Sequence, residues 1–174
     1  MNIRPPTDLP SWHHDSWDRL SEYASRTDKT LKTQLGWGGD GLVYATDAKT
    51  AIKSYRYASL YENERNVYFR LQERGVTSVA QFSVPRLIAY DDRLSVLEMS
   101  IASRPFILDF AGAYLDTEPP FNSEQIQEWQ AEKSELFGRR WREVRRAYYT
   151  FQSFGVYLND LKPGNVSFPD DDEE

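Results

Sequence analysis

Cysteine is missing from the sequence altogether. Disulfides and thiolate-held metals are thereby excluded, and nothing of the kind marks the chain as secreted. Histidine is nearly missing: His13 and His14 are the whole supply. Neighbouring side chains in extended chain point to opposite faces, and no carboxylate cluster accompanies them at ligand spacing, so no metal site is expected there. No apolar run approaches the roughly 20 residues of a membrane span, and residues 1–6 carry no apolar signal core. The expectation is a cytoplasmic protein without a membrane partner. The formal charge of -6 includes the acidic run 170–174 and opposes nucleic-acid binding as the main function, although a local basic patch stays open. Internal repeats are absent as well. What is present is 40% hydrophobic and 14% aromatic residues in 174 positions, enough for a buried core in one domain or two small lobes.

Near the C-terminal end of the sequence stands Asp160-Leu161-Lys162-Pro163-Gly164-Asn165. A carboxylate, an ammonium two residues on and an amide five residues on share one short loop. Phosphoryl transfer uses those three groups together. The carboxylate orients a hydroxyl and accepts its proton, the cation stabilises charge on the phosphoryl group, and an amide oxygen suits Mg2+. The same hexapeptide also fits a polar turn built on Pro163-Gly164.

The rest of the chain supplies a context. Residues 1–14 read as an irregular arm and 16–26 as a short helix with Trp17, Leu20 and Tyr23 on one face. Alternation predicts strands over 31–35, 42–45 and 50–55, with the glycine-rich run Gly36-Trp37-Gly38-Gly39-Asp40-Gly41 between the first two. Four glycines in six residues let a backbone turn sharply and approach a ligand, and free N–H groups in such a turn attract anions. A plain hairpin is the alternative. In the third strand, period two puts Ala51, Lys53 and Tyr55 on one face. Residues 58–73 read as a helix closed by Gly75. Glu64 falls inside its apolar stripe of Leu60, Tyr61, Val67, Tyr68 and Leu71, where a carboxylate asks for a cation, and Lys53 is the nearest by topology. Strands over 83–90 and 94–99 complete a five-stranded antiparallel sheet. After a boundary at 100–103 the pattern changes. Asn122 or Ser123 caps a helix carrying Ile126, Trp129 and Phe137, Gly138 interrupts, and a second helix presents Trp141, Val144, Tyr148 and Phe151.

In this order the parts resemble the protein kinase family. Gly36-x-Gly38-x-x-Gly41-x-Val43 is similar to that family's phosphate-covering loop. Ala51-Ile52-Lys53 resembles its third-strand lysine motif, and Glu64 the glutamate of its first large helix. Leu97-Glu98-Met99 resembles the hinge that binds adenine through backbone groups, and residues 160–165 resemble the catalytic loop. The resemblance covers roughly residues 30–168. It implies an α+β, protein kinase-like fold: an arm and short helix in 1–28, a five-stranded antiparallel N-lobe with one helix in 29–100, a minimal helical C-lobe in 101–169 and an acidic tail in 170–174. It also implies ATP and Mg2+, with Asp160 as base, Lys162 on the γ-phosphate, Asn165 on the metal, and Lys53, held by Glu64, on the α- and β-phosphates. Gly36, Gly38, Gly41, Val43 and Ala51 would bind the nucleotide with them, and Glu98 and Met99 would hold its adenine.

The departures bear on function. Leu158-Asn159 stands where the family carries His-Arg before the catalytic Asp, so control through a phosphorylated activation loop is not expected. No Asp-Phe-Gly follows Asn165, and in the family that Asp holds Mg2+. Asp170 is the first carboxylate available. An extended strand from Asn165 carries it roughly 16 Å away at about 3.3 Å per residue, so Pro169 must turn the chain back or a second copy must supply the ligand. The leading expectation is a reduced Ser/Thr-type protein kinase. The alternatives are an inactive pseudokinase that binds nucleotide or a partner, and a small-molecule kinase. The hydroxyl acceptor and oligomeric state stay open.

Overall fold

The computed structural model describes residues 9–108 and 110–169. In chain order the elements are α1 (His14–Arg26), β1 (Leu31–Gly38), β2 (Gly41–Thr46), β3 (Thr50–Tyr55), α2 (Ala58–Glu73), β4 (Ser78–Val79), β5 (Phe82–Ser83), β6 (Leu87–Asp91) and β7 (Val96–Ser100). They continue with β8 (Phe106–Ile107), β9 (Tyr114–Leu115), α3 (Ser123–Phe137), α4 (Trp141–Ser153), β10 (Val156–Tyr157) and β11 (Val166–Ser167). This is an α+β protein. No helix among the described residues is long and apolar enough to cross a membrane.

The chain forms two compact units. The first runs to Arg65 and takes in Pro85–Ile101; the second comprises Asn66–Val84 and the residues from Ala102 onward. The sequence boundary at 100–103 therefore coincides with one division, while Asn66–Val84 groups with the later residues.

The first unit is built on a five-stranded antiparallel sheet in the order β1-β2-β3-β7-β6. Strand alternation gives the sheet two chemically different faces. Leu42, Tyr44, Ile52 and Val96 lie on one, where they are buried with Trp17, Leu20, Tyr23 and Ala24 of α1. On the other, Val43 pairs with Lys53 and Lys53 with Leu97, while Ala45 pairs with Ala51 and Ala51 with Met99. Of the expected irregular arm over 1–14, residues 1–8 lie outside the described residues, and the rest is not irregular throughout. A single 3-10 turn, Ser11–His13, leads directly into α1, and Leu9 and His13 are buried. Leu9 belongs to the α1 core, so burial of an apolar side chain orders what polar composition alone assigns to coil.

The expected strand over 83–90 is broken in two. Phe82–Ser83 pairs within the second unit and Leu87–Asp91 within the large sheet. Pro85 lies between them and has no N–H to donate to a ladder. Helix α2 ends as read: Gly75 takes φ +66°, and the Val76 N–H donates to the Leu71 carbonyl at 2.8 Å, closing the last turn.

In the second unit, a small sheet runs β11-β8-β5-β4 and a separate pair joins β9 to β10. Helices α3 and α4 pack through Trp129, Trp141, Tyr148 and Phe137. Asn122 caps α3 in a reciprocal box with Gln125: each side chain bonds the other's backbone N–H at 2.9 Å.

Candidate active site

The glycine-rich run forms a tighter hairpin than the sequence suggests. Its strands continue through the glycines, pairing Gly36 with Val43, Trp37 with Leu42 and Gly38 with Gly41, and only Gly39-Asp40 is left as the turn. Irregular register on β1 between Leu31 and Gly36 bends the strand before the run. The four glycines are not equivalent. A Cβ on Gly41 would stand 2.0 Å from the Ser54 carbonyl oxygen, so the fold itself demands glycine there. A Cβ on Gly36, Gly38 or Gly39 would meet nothing within 4 Å. Packing among the described residues gives no reason for glycine at those three positions.

Lys53 lies beside this hairpin through the Val43–Lys53 pairing. Its Nζ is 2.6 Å from Glu64 Oε2, and it also stands 4.6 Å from the centre of the Tyr55 ring. The side chains are 16% and 4% exposed, so the carboxylate is withdrawn from water and the ammonium keeps partial access to it. Glu64 sits in the buried stripe of α2 with Tyr61, Val67, Tyr68 and Leu71. Helical periodicity puts the carboxylate inside, and strand alternation puts the lysine on the face that meets it. Tyr61 fixes this end of α2: its ring meets Tyr55 edge-on and its hydroxyl donates to Asp92 Oδ1 at 2.6 Å. Burial and that carboxylate push the Tyr61 phenol well above the usual tyrosine range.

Glu98 and Met99 are not placed as a hinge. Both lie inside β7, paired with Ile52 and Ala51 of β3 on one side and with Ala89 and Leu87 of β6 on the other. Their backbone groups point into ladders, so they are not presented to an adenine edge. Ser100 is still held, its N–H donating to the Arg86 carbonyl at 2.9 Å, and the chain leaves the sheet only at Ile101. The Glu98 side chain is buried on the α1 face. Its carboxylate accepts from Thr50 Oγ1 at 2.7 Å and Tyr23 Oη at 3.0 Å, and Lys29 Nζ lies 3.1 Å away. Burial, then the bond to Glu98, raises the Tyr23 phenol far above its ordinary value. Lys29 and Thr50 were not singled out in the sequence, and Tyr23 was read only as part of the apolar face of α1. The signal was the carboxylate itself, standing in an apolar strand just as Glu64 stands in an apolar stripe.

The second unit holds the other three candidates. Leu158, Leu161, Val166 and Phe168 are buried and anchor the loop on both sides, leaving Asp160 and Lys162 exposed. Val166 pairs with Ile107, and the Asn165 carbonyl accepts from the Leu108 N–H at 2.9 Å. Lys162 Nζ contacts Asp160 Oδ2. An exposed pair of this kind contributes at most about 1 kcal/mol, so a ligand can replace either partner at little cost. The Asn165 amide nitrogen donates to the Asp160 carbonyl at 2.9 Å. That bond orients the side chain and leaves its oxygen without a hydrogen bond among the described residues, as a metal ligand requires. Asp170, the other expected metal ligand, lies outside the described residues. Among those that are described, no group of three His, Asp or Glu side chains is arranged to hold a metal ion.

One further cluster borders the hairpin. His13 is fully buried, tilted against Trp12 with ring centres 3.9 Å apart and edge-on to Trp37 at 5.7 Å, and neither ring nitrogen has a hydrogen-bond partner among the described residues. Burial, with the Arg56 charge, lowers its pKa.

Comparison of the chain with known protein families and with curated protein sequences gives no match.

Proposed function

We propose that the chain is a protein kinase-like, ATP-dependent phosphotransferase of reduced size, transferring the γ-phosphate to a hydroxyl. The observation that carries this reading is the Lys53–Glu64 pair at 2.6 Å. Burying two charges is costly, and an apolar pair of similar volume often serves stability as well or better. A half-buried lysine held by a buried carboxylate beside a glycine hairpin fits the task of holding a polyphosphate.

The hairpin supports the same reading. Among the described residues nothing occupies the space where a Cβ on three of its glycines would go, so phosphate oxygens can approach the backbone there, and the N–H groups of the Gly39-Asp40 turn lie outside the strand pairing. In the second unit, Asp160 would accept the hydroxyl proton and Lys162 would stabilise charge on the transferring group. Asn165 and Asp170 would hold Mg2+, which neutralises phosphate charge when bound. The adenine edge would be read by the backbone of 101–103, which has left the sheet, in place of Glu98 and Met99.

The second reading is a nucleotide-binding pseudokinase, which keeps the Lys53–Glu64 pair and the glycine hairpin without the transfer step. Both readings require nucleotide binding. Titration calorimetry of the purified chain with ATP should show saturable binding that Lys53→Met weakens about tenfold or more. Absence of ATP binding by a folded wild-type chain would remove both readings.

A further inference from the structure

We propose that the exposed face of α4 is a docking site for an extended acidic peptide segment of a partner protein. This goes beyond the phosphotransfer reading and does not depend on it. Trp141, Val144, Ala147 and Phe151 turn inward from α4. On the outward face, Arg142, Arg145 and Arg146 with Tyr149, Thr150 and Ser153 line an open groove of about 890 Å³.

The charge on this face is uncompensated. None of the three guanidinium groups has a carboxylate partner among the described residues, whereas the nearby Arg140 is paired with Glu143 at 3.8 Å. Like charges at i, i+3 and i, i+4 disfavour a helix. The arrangement therefore persists without any internal gain, on a chain whose net charge is -6.

Spacing indicates the ligand. Arg142 and Arg146 are about 6 Å apart along the helix axis at 1.5 Å per residue. Side chains on one face of an extended peptide repeat at about 6.6 Å. Alternate Asp or Glu residues of such a segment thus meet the two arginines in step, with Arg145 alongside. From Arg142 to Ser153 the face is about 16 Å long, which accommodates about five extended residues. Arginine forks bind carboxylates bidentately. The Gln130 amide donates to Tyr149 Oη at 3.1 Å and holds that ring at the groove. The overall negative charge disfavours a long nucleic-acid polyanion at range, whereas a short segment presents its charge only at the patch.

The test is fluorescence anisotropy with the full chain and a labelled peptide bearing Asp at alternate positions. The wild type should bind, and the triple variant R142E/R145E/R146E should bind about tenfold more weakly or worse, since each exposed pair contributes modestly. Circular dichroism should show the same melting for both, because the three side chains are exposed and unpaired. Should the reversal fail to fold, the neutral set R142Q/R145Q/R146Q replaces it with the same expectation. Equal binding by wild type and a folded variant overturns the proposal. So does a single-stranded oligonucleotide of equal charge that binds more tightly than the peptide. Deleting 170–174 tests the chain's own acidic residues as occupant. A gain of about tenfold in peptide affinity on deletion would assign the groove to them and overturn the partner assignment.

Discussion

Lys53 is charged, yet it stands on a strand face with Val43, Ala51 and Leu97, and its pairing with Glu64 makes that position tolerable. Removing one partner strands the other. Lys53→Met and Glu64→Met should each destabilise the fold by about 3 kcal/mol, while the double variant should lose much less than the sum. Chemical denaturation of the four proteins measures this, and additive losses would mean that the pair is not coupled. Both residues were legible because each breaks a local pattern. His13 was not. Its role comes from Trp12 and Trp37 closing over it, and no periodicity in the sequence announces that. Its pKa is lowered by burial, so the unfolded chain holds the extra proton. The His13 contribution to stability should be complete above about pH 6.5 and fade as pH falls through the lowered folded-state value. Melting temperatures from pH 8 to pH 5 should drop more for the wild type than for His13→Phe. Parallel curves would contradict the assignment.

The glycine hairpin is the element on which fold and function separate most cleanly. Gly41 answers to Ser54, and Gly38 answers to nothing among the described residues. Gly41→Val should cost about 3 kcal/mol or more through overpacking against backbone. Gly38→Val should leave melting unchanged and weaken ATP binding, because a β-branched side chain suits a strand but fills the space over it. Thermal melts and calorimetry on the two variants give the comparison. Lost ATP affinity in neither, or lost stability in both, would contradict the division. Elements with sustained periodicity were readable in advance: β2, β3, α2 and α4 each show it over a turn or more. The two-residue strands β4, β5 and β8 to β11 are too short to carry a period, so pairing partners far along the chain determine them. Position within an element was harder to read than the element itself. Leu97-Glu98-Met99 resembles a hinge in composition but lies in the middle of a strand bordered by two others, which only the register reveals.

At the scale of the whole molecule, the candidate machinery is divided between the two units. The glycine hairpin, Lys53 and Glu64 belong to the first, and Asp160, Lys162 and Asn165 to the second. The order of these motifs was legible because each is a local pattern of a few residues. The grouping of Asn66–Val84 with the later residues was not, because it arises from packing remote in sequence. The proposed phosphoryl transfer draws on both sets of groups. The measurement that tests this most directly is transfer of radiolabel from γ-labelled ATP to protein or to generic hydroxyl acceptors, with Mg2+ or Mn2+. Wild type, Asp160→Ala and a chain lacking 170–174 are compared at matched ATP occupancy. A phosphotransferase predicts transfer by the wild type and a loss of about a hundredfold or more in Asp160→Ala. A similar loss in the shortened chain would place a metal ligand in the acidic run. Wild-type transfer no higher than the Asp160→Ala background, with ATP bound to both, would contradict the account and leave a nucleotide-binding pseudokinase in its place.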